Sequence, residues 1–492
     1  MMSKTMRISV IIEDENGEAL VTKTSERTIP YIEEIETKGF RSAFHDLETA
    51  ILESRKEVSD GAVSEYVEIM SKKKTASESY AGETIEARTY GITCELGDVD
   101  TTSHVVMHKG ASVYESADGF LERTASRERF KSNNFMELAL DFATDCSNRA
   151  AAGRLNRIRH EAEGISPTTY RNTVEREGAA MHGHIGKKCD EALACGGFVW
   201  NGETYENAAF VPDAPRHIMQ AEIENAAIEL NIESYEAADY ELPIDAVNVS
   251  MDEVGVKRQT EMRPKSEGKQ QLKRVENTVL HIRHKNKSYT LNATSLASGV
   301  RMLMGFLLCG GLMGKQIVIF ADGARTIHAA VLKTLHFANV KIILDWYHLH
   351  KRCKENLSMA LNGSKARNEF LDVLMPCLWY GNVRRAIRLL ECIDSKKVKN
   401  QDYIRILIDY FIRVHEHVPC YALRKKLGLR NSSNMGEKAN DIIVSNRQKH
   451  NGMSWSDKGS ASFASVSSAS HNREIQNRIH NRQIRFELRA AA

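Results

Sequence analysis

Acidic residues beside short apolar runs are the residues of this chain whose types and spacing suggest chemistry. Asp252 lies in the apolar segment AVNVSMDEV, Asp322 ends the run IVIFAD, and Asp345 ends the run IILD. Such runs predict buried strands, which would hold each acid in a fixed place. Glu437 lies near the beginning of a basic helical segment. Carboxylates that converge from separate elements can bind two metal ions, the arrangement that cleaves phosphodiesters.

Two of these acids also have a simpler interpretation. An aspartate at the end of a strand often caps the next helix, and this applies to Asp322 and to Asp345. His348 lies one helical turn after Asp345 and would fix Asp345, contact DNA or link its helix to the sheet. At this level Asp345 is an alternative to Asp322 as the second metal ligand. Oxygen ligands favour Mg²⁺, with Mn²⁺ as the other choice and two ions per site.

The elements around these acids predict an α/β core. Strands are expected at 246–254, 278–284 and 288–291, a helix at 297–312, and buried strands before Asp322 and Asp345. Residues 358–430 have helical spacing throughout. The basic segment that carries Glu437 also has four side chains that could approach phosphates, namely Lys438, Arg447, Lys449 and His450. Trp455 follows, either to stack on an unpaired base or, as the favoured alternative, to anchor the last helix.

Upstream of this core, two helices are separated by a short turn. The first carries Arg154, Arg157 and Arg159, and the second has Ser166 as its N-cap, Pro167 at its first position and Gly178 at its end. This outline matches a helix-turn-helix, whose second helix meets the major groove with its first residues. A capped helix pair that never contacts DNA is the alternative. The predicted DNA-binding residues of this pair are Arg154, Arg157, Thr168, Thr169, Tyr170, Arg171 and Asn172.

Further upstream, the first residues predict a β-hairpin. Arg7–Ile12 and Ala19–Thr24 flank the turn pair Asn16-Gly17. Helical spacing follows from Ile32 to about Lys74, and strand-like sequence extends from about Thr84 to Tyr114. Nothing in this region suggests chemistry, and an accessory role is expected. At the other terminus, Ile475, Ile479 and Ile484 predict a basic helix that binds DNA or a second subunit, and a solvated terminal helix is the alternative.

Charge is distributed very unevenly along the chain. The formal charge of +2 divides into −9 for residues 1–200, −10 for 201–250 and +21 for 251–492. A basic half of this kind favours a polyanionic partner, although a basic surface that faces only solvent is the alternative. The nine cysteines form no C-x-x-C pair, which excludes a zinc ribbon and suits a reducing cytosol. No signal peptide or membrane span is expected.

Four sequence blocks in order resemble one family. These are SMDEVGVKRQ, IVIFADGARTI, LDWYHLHKRCKENL and GEKANDIIVSNRQKHNGMSWSDKG. From about Val249 to Phe463 they resemble the DDE insertion-sequence transposases of the ISLre type, which are related to Mutator-like elements. The helix pair near residue 150 extends the resemblance upstream. Many transposases carry a Cys-rich metal knuckle near the N-terminus, and this chain has none.

The resemblance implies both a fold and a site. It implies an RNase H-like, retroviral integrase-type core with a mixed sheet and an all-α insertion, preceded by a largely α region with a helix-turn-helix. It assigns Asp252, Asp322 and Glu437 as the catalytic metal ligands, and Asp345 with His348 as a C/D-x-x-H motif. Arg352 joins the predicted DNA contacts. The implied reaction is metal-dependent cleavage at insertion-sequence ends and strand transfer into target DNA.

Two other functions stay open at this level. An RNase H-like nuclease without strand transfer would keep the same acids, and an inactive transposase derivative would only bind DNA. The expected partners are double-stranded DNA and further copies of the chain, in the cytoplasm near the nucleoid, without a membrane or a nucleotide cofactor. The predicted organisation is 1–125 accessory, 126–200 helical and DNA-binding, 201–245 acidic connector, 246–357 first part of the core, 358–430 helical insertion, and 431–492 completion of the core with a basic tail.

Overall fold

The structure is a computed structural model of a mixed α/β protein. It describes residues 4–29, 39–76, 83–121, 128–162, 164–232, 240–259, 273–449 and 453–490. The chain forms two compact units, Met1–Val174 and Glu175–Ala492. The boundary between them falls within the region 126–200 that the sequence predicts to be helical.

The first unit combines a hairpin, a long helix and a small sheet. Its elements are β1 (Lys4–Glu13), β2 (Ala19–Ile29), α1 (Phe40–Ala76), β3 (Thr84–Cys94), β4 (Gly97–His108), β5 (Ala111–Glu115), α2 (Asp118–Leu121), β6 (Phe130–Lys131), α3 (Asn133–Asp145), α4 (Asn148–Ile158) and the beginning of α5 (Pro167–Cys195). The predicted hairpin and strands are confirmed. The predicted helix over 32–74 is present from Phe40, and residues 32–38 lie outside the described residues.

Local chemistry explains the hairpin turn and the small core of this unit. Gly17 has a φ of +81°, which favours glycine, and the Asp14 side chain accepts hydrogen bonds from the N–H groups of Asn16 and Glu18, each at 2.9 Å. The four-stranded sheet has the order β5-β4-β3-β6. Its buried centre includes Val67, Tyr90 and Ile92, so apolar packing holds α1 against the sheet.

The predicted helix pair is present, but its second helix is much longer than expected. The hydroxyl of Ser166 accepts a hydrogen bond from the N–H of Thr169 at 3.0 Å, as an N-cap does. The predicted end at Gly178 is wrong, because α5 continues to Cys195. A Cβ at Gly178 would lie 2.2 Å from the carbonyl oxygen of Ser462. This glycine therefore permits a close helix contact and does not end the helix.

The second unit is larger and is built around a six-stranded sheet. The strands of that sheet are β9 (Val247–Lys257), β10 (Arg274–His284), β11 (Lys287–Ala293), β12 (Ile317–Ala321), β13 (Val340–Leu344) and β14 (Arg489–Ala490). Two further short strands, β7 (Val199–Trp200) and β8 (Tyr205–Glu206), pair with each other. Its helices after α5 are α6 (Gln220–Glu229), α7 (Leu296–Cys309), α8 (Arg325–Thr334), α9 (Trp346–Ala360), α10 (Gly363–Trp379), α11 (Val383–Glu391), α12 (Gln401–Val414), α13 (Tyr421–Lys426), α14 (Asn434–Asn440), α15 (Asn446–Gln448), α16 (Asp457–His471) and α17 (Ile475–Asn481). Short 3₁₀ turns at Ser395–Lys397 and His415–His417 and a π-turn at Asp441–Ser445 complete this unit.

The six strands have the order β13-β12-β9-β10-β11-β14. The strand β9 pairs antiparallel with β10 and parallel with β12, and β12 pairs parallel with β13. Every residue of β12 is buried, which explains the continuous apolar run of its sequence. The predicted strands and the helix α7 of this core are confirmed. The region 358–430 is largely helical, and its apolar side chains join the core beside β12 and β13.

The predicted acidic connector is part of this folded unit where the structure describes it. The helix α6 packs its apolar side on α13. Glu241 and Arg424 form a bidentate ion pair at 2.6 and 2.9 Å, and both side chains are buried. Arg424 also donates to the carbonyl oxygen of Arg430 at 3.0 Å. Residues 240–242 are thus joined to the basic half by a buried charge pair.

The tail is shorter as a helix than the sequence predicts, and it is buried. The helix α17 ends before Arg482, whose φ is +55°, and Ile484 lies beyond it. Ile475, Ile479 and Ile484 are all buried. These isoleucines are the buried side of the tail, and the predicted binding of DNA or a second subunit stays a prediction. Among the described helices, none has both the length and the apolar character to cross a membrane.

Candidate metal centre

Two neighbouring strands place Asp252 and Asp322 side by side. In the parallel pair of β9 and β12, Ser250 lies opposite Phe320. Asp252 and Asp322 each follow two residues later, so both carboxylates continue on the same side of the sheet edge. Asp322 is partly exposed, and its carboxylate accepts one hydrogen bond, from the N–H of Ala324 at 2.8 Å. This edge therefore carries two acids from different strands.

Asp252 is held by two donors and crowded by other acids. One of its oxygens accepts from the N–H of Glu253 at 2.9 Å, and the other accepts from the side-chain amide of Asn440 at 2.7 Å. Burial, followed by the charges of Glu437 and Asp322, raises the pKa of Asp252 to about 6. A bound cation would relieve this repulsion.

The helix α14 brings Glu437 to the same place. A Cβ at Gly436 would lie 2.5 Å from the Cβ of Ser250, so this glycine allows α14 to approach β9 closely. Glu437 and Asn440 are three residues apart and lie on one side of the helix. The helix α14 ends at Asn440, and a short π-helix (Asp441–Ser445) begins directly after it.

His348 pairs with Glu437 across 89 residues of sequence, and their Nε2 and Oε1 atoms are 2.7 Å apart. This hydrogen bond lowers the pKa of Glu437. Burial alone would lower the pKa of His348, but its hydrogen bond to Glu437 and the charges of Asp345, Glu437 and Asp252 outweigh burial and raise it. The side chain of His348 therefore holds Glu437 and does not fix Asp345.

Asp345 is a helix cap. It is completely buried, and its carboxylate accepts from the N–H groups of Tyr347 at 2.7 Å and His348 at 3.1 Å. The N–H of Ser433 donates to its other oxygen. These three donors are all backbone N–H groups, and Asp345 is not among the residues that line the cavity beside Asp252 and Asp322. The capping interpretation of Asp345 is confirmed, and Asp345 as an alternative second metal ligand stays a prediction.

Three donor atoms come close enough to share one metal ion. One atom each from Asp252, His348 and Glu437 lie within 4.8 Å of one another. Asp322 lines the same cavity, together with Asp252 and His348. Of the predicted ligands, Asp252 and Glu437 are thus brought together directly, and Asp322 lies beside them. The carboxylates fit Mg²⁺ or Mn²⁺, and the imidazole of His348 holds Glu437 beside them.

Three predicted DNA contacts are buried, and those assignments are wrong. They are Tyr170, Arg447 and Trp455. The hydroxyl of Tyr170 donates to the carbonyl oxygen of Ala139 at 2.7 Å within the first unit. The guanidinium of Arg447 lies 5.1 Å from the ring centres of both Trp455 and Phe463. These aromatic contacts hold Arg447 inside the second unit, away from any phosphate.

Trp455 is the anchor that the sequence favoured over base stacking. Its N–H donates to the carbonyl oxygen of Lys257 at 2.9 Å, and its own carbonyl oxygen accepts from the N–H of Gln259 at 2.8 Å. Its indole N–H donates to the carbonyl oxygen of Gln448 at 3.3 Å. Trp455 therefore fastens the segment before α16 to the end of β9.

The remaining predicted DNA contacts are exposed. In the first unit these are Arg154, Arg157, Thr168, Thr169, Arg171 and Asn172. In the second unit they are Arg352, Lys438 and Lys449. His450 lies outside the described residues.

Asn440 orients Asp252 and was not among the predicted site residues. The signal available for it was the spacing of three residues from Glu437 on one helix. The chain matches no protein-family model and no curated protein, so the chemistry of this centre is the basis for inferring function.

Proposed function

We propose that this chain is a DNA transposase of the DDE type. It cleaves DNA at the ends of an insertion sequence and joins the new 3′-hydroxyl to target DNA in the same site. The observation that carries this proposal is the convergence of Asp252, His348 and Glu437, with Asp322 lining the same cavity. Four separate elements supply these side chains, as metal-dependent phosphodiester chemistry requires.

The order of the strands supports the proposal. Three antiparallel strands, β11, β10 and β9, are followed in the sheet by β12 and β13, which run parallel to β9. This order is compatible with the RNase H-like core that the resemblance to ISLre-type transposases implies. In chain order, Asp252 lies in the first of these five strands, β9, and Asp322 follows the fourth, β12. The glutamate comes after the helical insertion, as in the family pattern.

Asp252, Asp322 and Glu437 would hold two Mg²⁺ ions, or Mn²⁺ in their place. Bound there, the ions would activate the attacking oxygen and stabilise the leaving oxygen of the phosphodiester. The protein's own task is to orient the carboxylates before DNA arrives. Asn440 fixes one oxygen of Asp252, and His348 fixes one oxygen of Glu437. Each carboxylate keeps acceptor capacity for a cation.

The distribution of charge supports DNA as the partner. The three acids lie in the part of the chain that carries +21 between residues 251 and 492. Arg352, Lys438 and Lys449 are close in sequence to the site residues His348 and Glu437. Their side chains are exposed and available to phosphates. Two transposon ends must be held together for strand transfer, so a homo-oligomer is part of the proposal.

The test uses the purified full chain with Mg²⁺, a donor plasmid that carries the DNA flanking its own gene, and a separate target plasmid. We expect breaks with 3′-hydroxyl ends and joined donor–target products, both of which require Mg²⁺. Glu437→Gln should abolish breaks and joined products. Asp441→Asn is the matched control, because Asp441 is exposed and lies one residue after α14.

Each other outcome contradicts the proposal in a distinct way. Breaks without joined products would assign the chain to RNase H-like nucleases. DNA binding without breaks would assign it to inactive derivatives. Processing that is unchanged in Glu437→Gln would exclude this metal centre as the site.

A further inference from the structure

A buried tyrosine connects the helical insertion to the turn that carries Asp322. Tyr410 of α12 is 3% exposed, and its hydroxyl donates to the carbonyl oxygen of Asp322 at 3.4 Å. A Cβ at Gly323 would lie 2.9 Å from that hydroxyl. The chain around Tyr410 is therefore immediately beside the candidate metal centre.

Two guanidinium groups lie over the ring of this tyrosine. Arg352 of α9 is 4.8 Å from the ring centre, and Arg413 of α12 is 5.3 Å from it. Arg325 begins α8, two residues after Gly323. Because the Tyr410 hydroxyl lies beside Gly323, Arg325 begins its helix next to the ring that Arg352 and Arg413 contact. Burial, followed by the charges of Arg325 and Arg352, lowers the pKa of Arg413. We call Arg325, Arg352 and Arg413 the arginine cluster.

No acid neutralises this cluster through an ion pair in the part of the chain that the structure describes. By contrast, Arg405, on the same helix as Arg413, has Asp402 at 3.8 Å. The carboxylate that acts favourably on Arg413 is that of Asp322, which the proposed function commits to metal binding. Three neighbouring cations repel one another unless an anion joins them.

The backbone adds donors at the same place. The helix α8 begins beside Gly323, and its N-cap residue, Ala324, makes no side-chain hydrogen bond to the first turn. The N–H groups of a first turn without such a cap, together with the positive end of the helix dipole, favour an anion. Arg325 and Arg352 are exposed, so an anion can reach them from solvent.

We propose that the arginine cluster binds phosphate groups of the DNA strand that enters the metal centre. This inference rests on the proposed function, because it takes the adjoining acids to act on that strand. Arginine suits the role since its planar fork donates two hydrogen bonds to one phosphate. Cations from three helices, α8, α9 and α12, fit a chain of phosphates better than a single small ion. Arg352 is a predicted DNA contact, and Arg325 and Arg413 are new.

The test measures DNA affinity without any divalent ion, so that it does not depend on cleavage. Fluorescence anisotropy of a labelled DNA duplex in EDTA is recorded over a series of NaCl concentrations. The variant carries Arg325→Gln, Arg352→Gln and Arg413→Gln together. We expect it to bind more than about tenfold more weakly, with a slope of log affinity against log salt that is lower by about 2 to 3. Arg405→Gln is the matched control and should leave both values unchanged.

A second variant separates charge from packing. Replacing the same three residues with lysine keeps the cations, and it should restore most of the salt slope that the glutamine variant loses. Unchanged affinity and slope in the glutamine variant would overturn the inference. Failure of the lysine variant to restore the slope would also overturn it, because the loss would then come from packing around Tyr410.

Free phosphate is the other source of the same ligand chemistry. Titration calorimetry with inorganic phosphate distinguishes it. Tight phosphate binding that disappears in the glutamine variant, with duplex affinity unchanged, would assign the cluster to a small anion and overturn the inference. The proposed function fails separately, through unchanged DNA processing in Glu437→Gln. Weaker duplex binding by the glutamine variant would support phosphate binding by the arginine cluster whether or not Glu437→Gln changes DNA processing.

Discussion

The turns that follow β12 and β13 look alike in sequence and differ in what their aspartates do. Each turn places an aspartate directly after a buried parallel strand and before a helix. Asp345 is completely buried and accepts from three backbone N–H groups, those of Tyr347, His348 and Ser433. Asp322 is partly exposed and accepts from one, that of Ala324. The acceptor capacity that the backbone leaves free therefore separates a structural acid from a candidate metal ligand.

The largest expected effect concerns the rate of DNA cleavage. Asp322→Asn should lower the Mg²⁺-dependent rate by about a thousandfold, roughly 4 kcal/mol, because the variant keeps the shape but loses a ligand charge. Its midpoint of thermal unfolding should stay close to that of the wild type. Asp345→Asn is the comparison variant, and rates in both should be measured at a temperature where both are folded. A larger loss of cleavage rate in Asp345→Asn than in Asp322→Asn would contradict the assignment of Asp322 as the ligand and Asp345 as the cap.

The next effect concerns stability. Asp345→Ala should lower the free energy of unfolding by about 3 kcal/mol, because it leaves buried N–H groups of α9 and Ser433 without an acceptor. Urea unfolding followed by circular dichroism measures this change. The matched variant Asp322→Ala should lose less than about 1 kcal/mol, since its N–H partner is less buried. Equal losses in the two variants would show that burial does not distinguish the turns.

The third effect concerns pH and the metal-free protein. The pKa of Asp252 is raised from 3.8 to about 6, so the folded state holds a proton that the unfolded state releases. In EDTA, the contribution of Asp252 to the stability of the wild type should therefore be largest below about pH 4. This contribution should be lost as the pH rises through about 6. Asp252→Asn should lack this loss and be more stable at pH 7.5 by up to about 3 kcal/mol. The control Asp441→Asn should follow the wild-type profile.

The smallest effect concerns the residue that orients Asp252. Asn440→Ala should weaken Mn²⁺ binding by about tenfold, because one oxygen of Asp252 loses its hydrogen-bond donor. Titration calorimetry measures this directly, with the exposed Asn446→Ala as control. Affinity equal to that of the wild type would mean that Asn440 only packs against β9.

The strands of the core were predictable because their chemistry is local. The buried parallel strands β12 and β13 are continuous apolar runs, and β9 shows apolar β-branched positions around Asp252. The N-cap at Ser166 was predictable for the same reason, since capping depends on neighbours in sequence.

Contacts across long stretches of sequence were not predictable. His348 and Glu437 meet across the helical insertion, and no local pattern specifies which acid the imidazole will hold. Gly178 resembles a helix end in sequence, but its role depends on the distant backbone of Ser462. Arg447 resembles a phosphate contact, but aromatic rings that come together only in the folded unit bury it. Tertiary packing overrides local preference in each case.

The ion pair between Glu241 and Arg424 limits where the chain can be shortened. A fragment that begins at residue 246, where the first strand of the core seems to start, would leave Arg424 as a buried charge without its partner. Breaking such a pair costs about 3 to 5 kcal/mol, a large share of the stability of a typical domain. A stable fragment of the core should therefore include Glu241, and a recombination event that exchanged residues 246–492 alone would yield a less stable product.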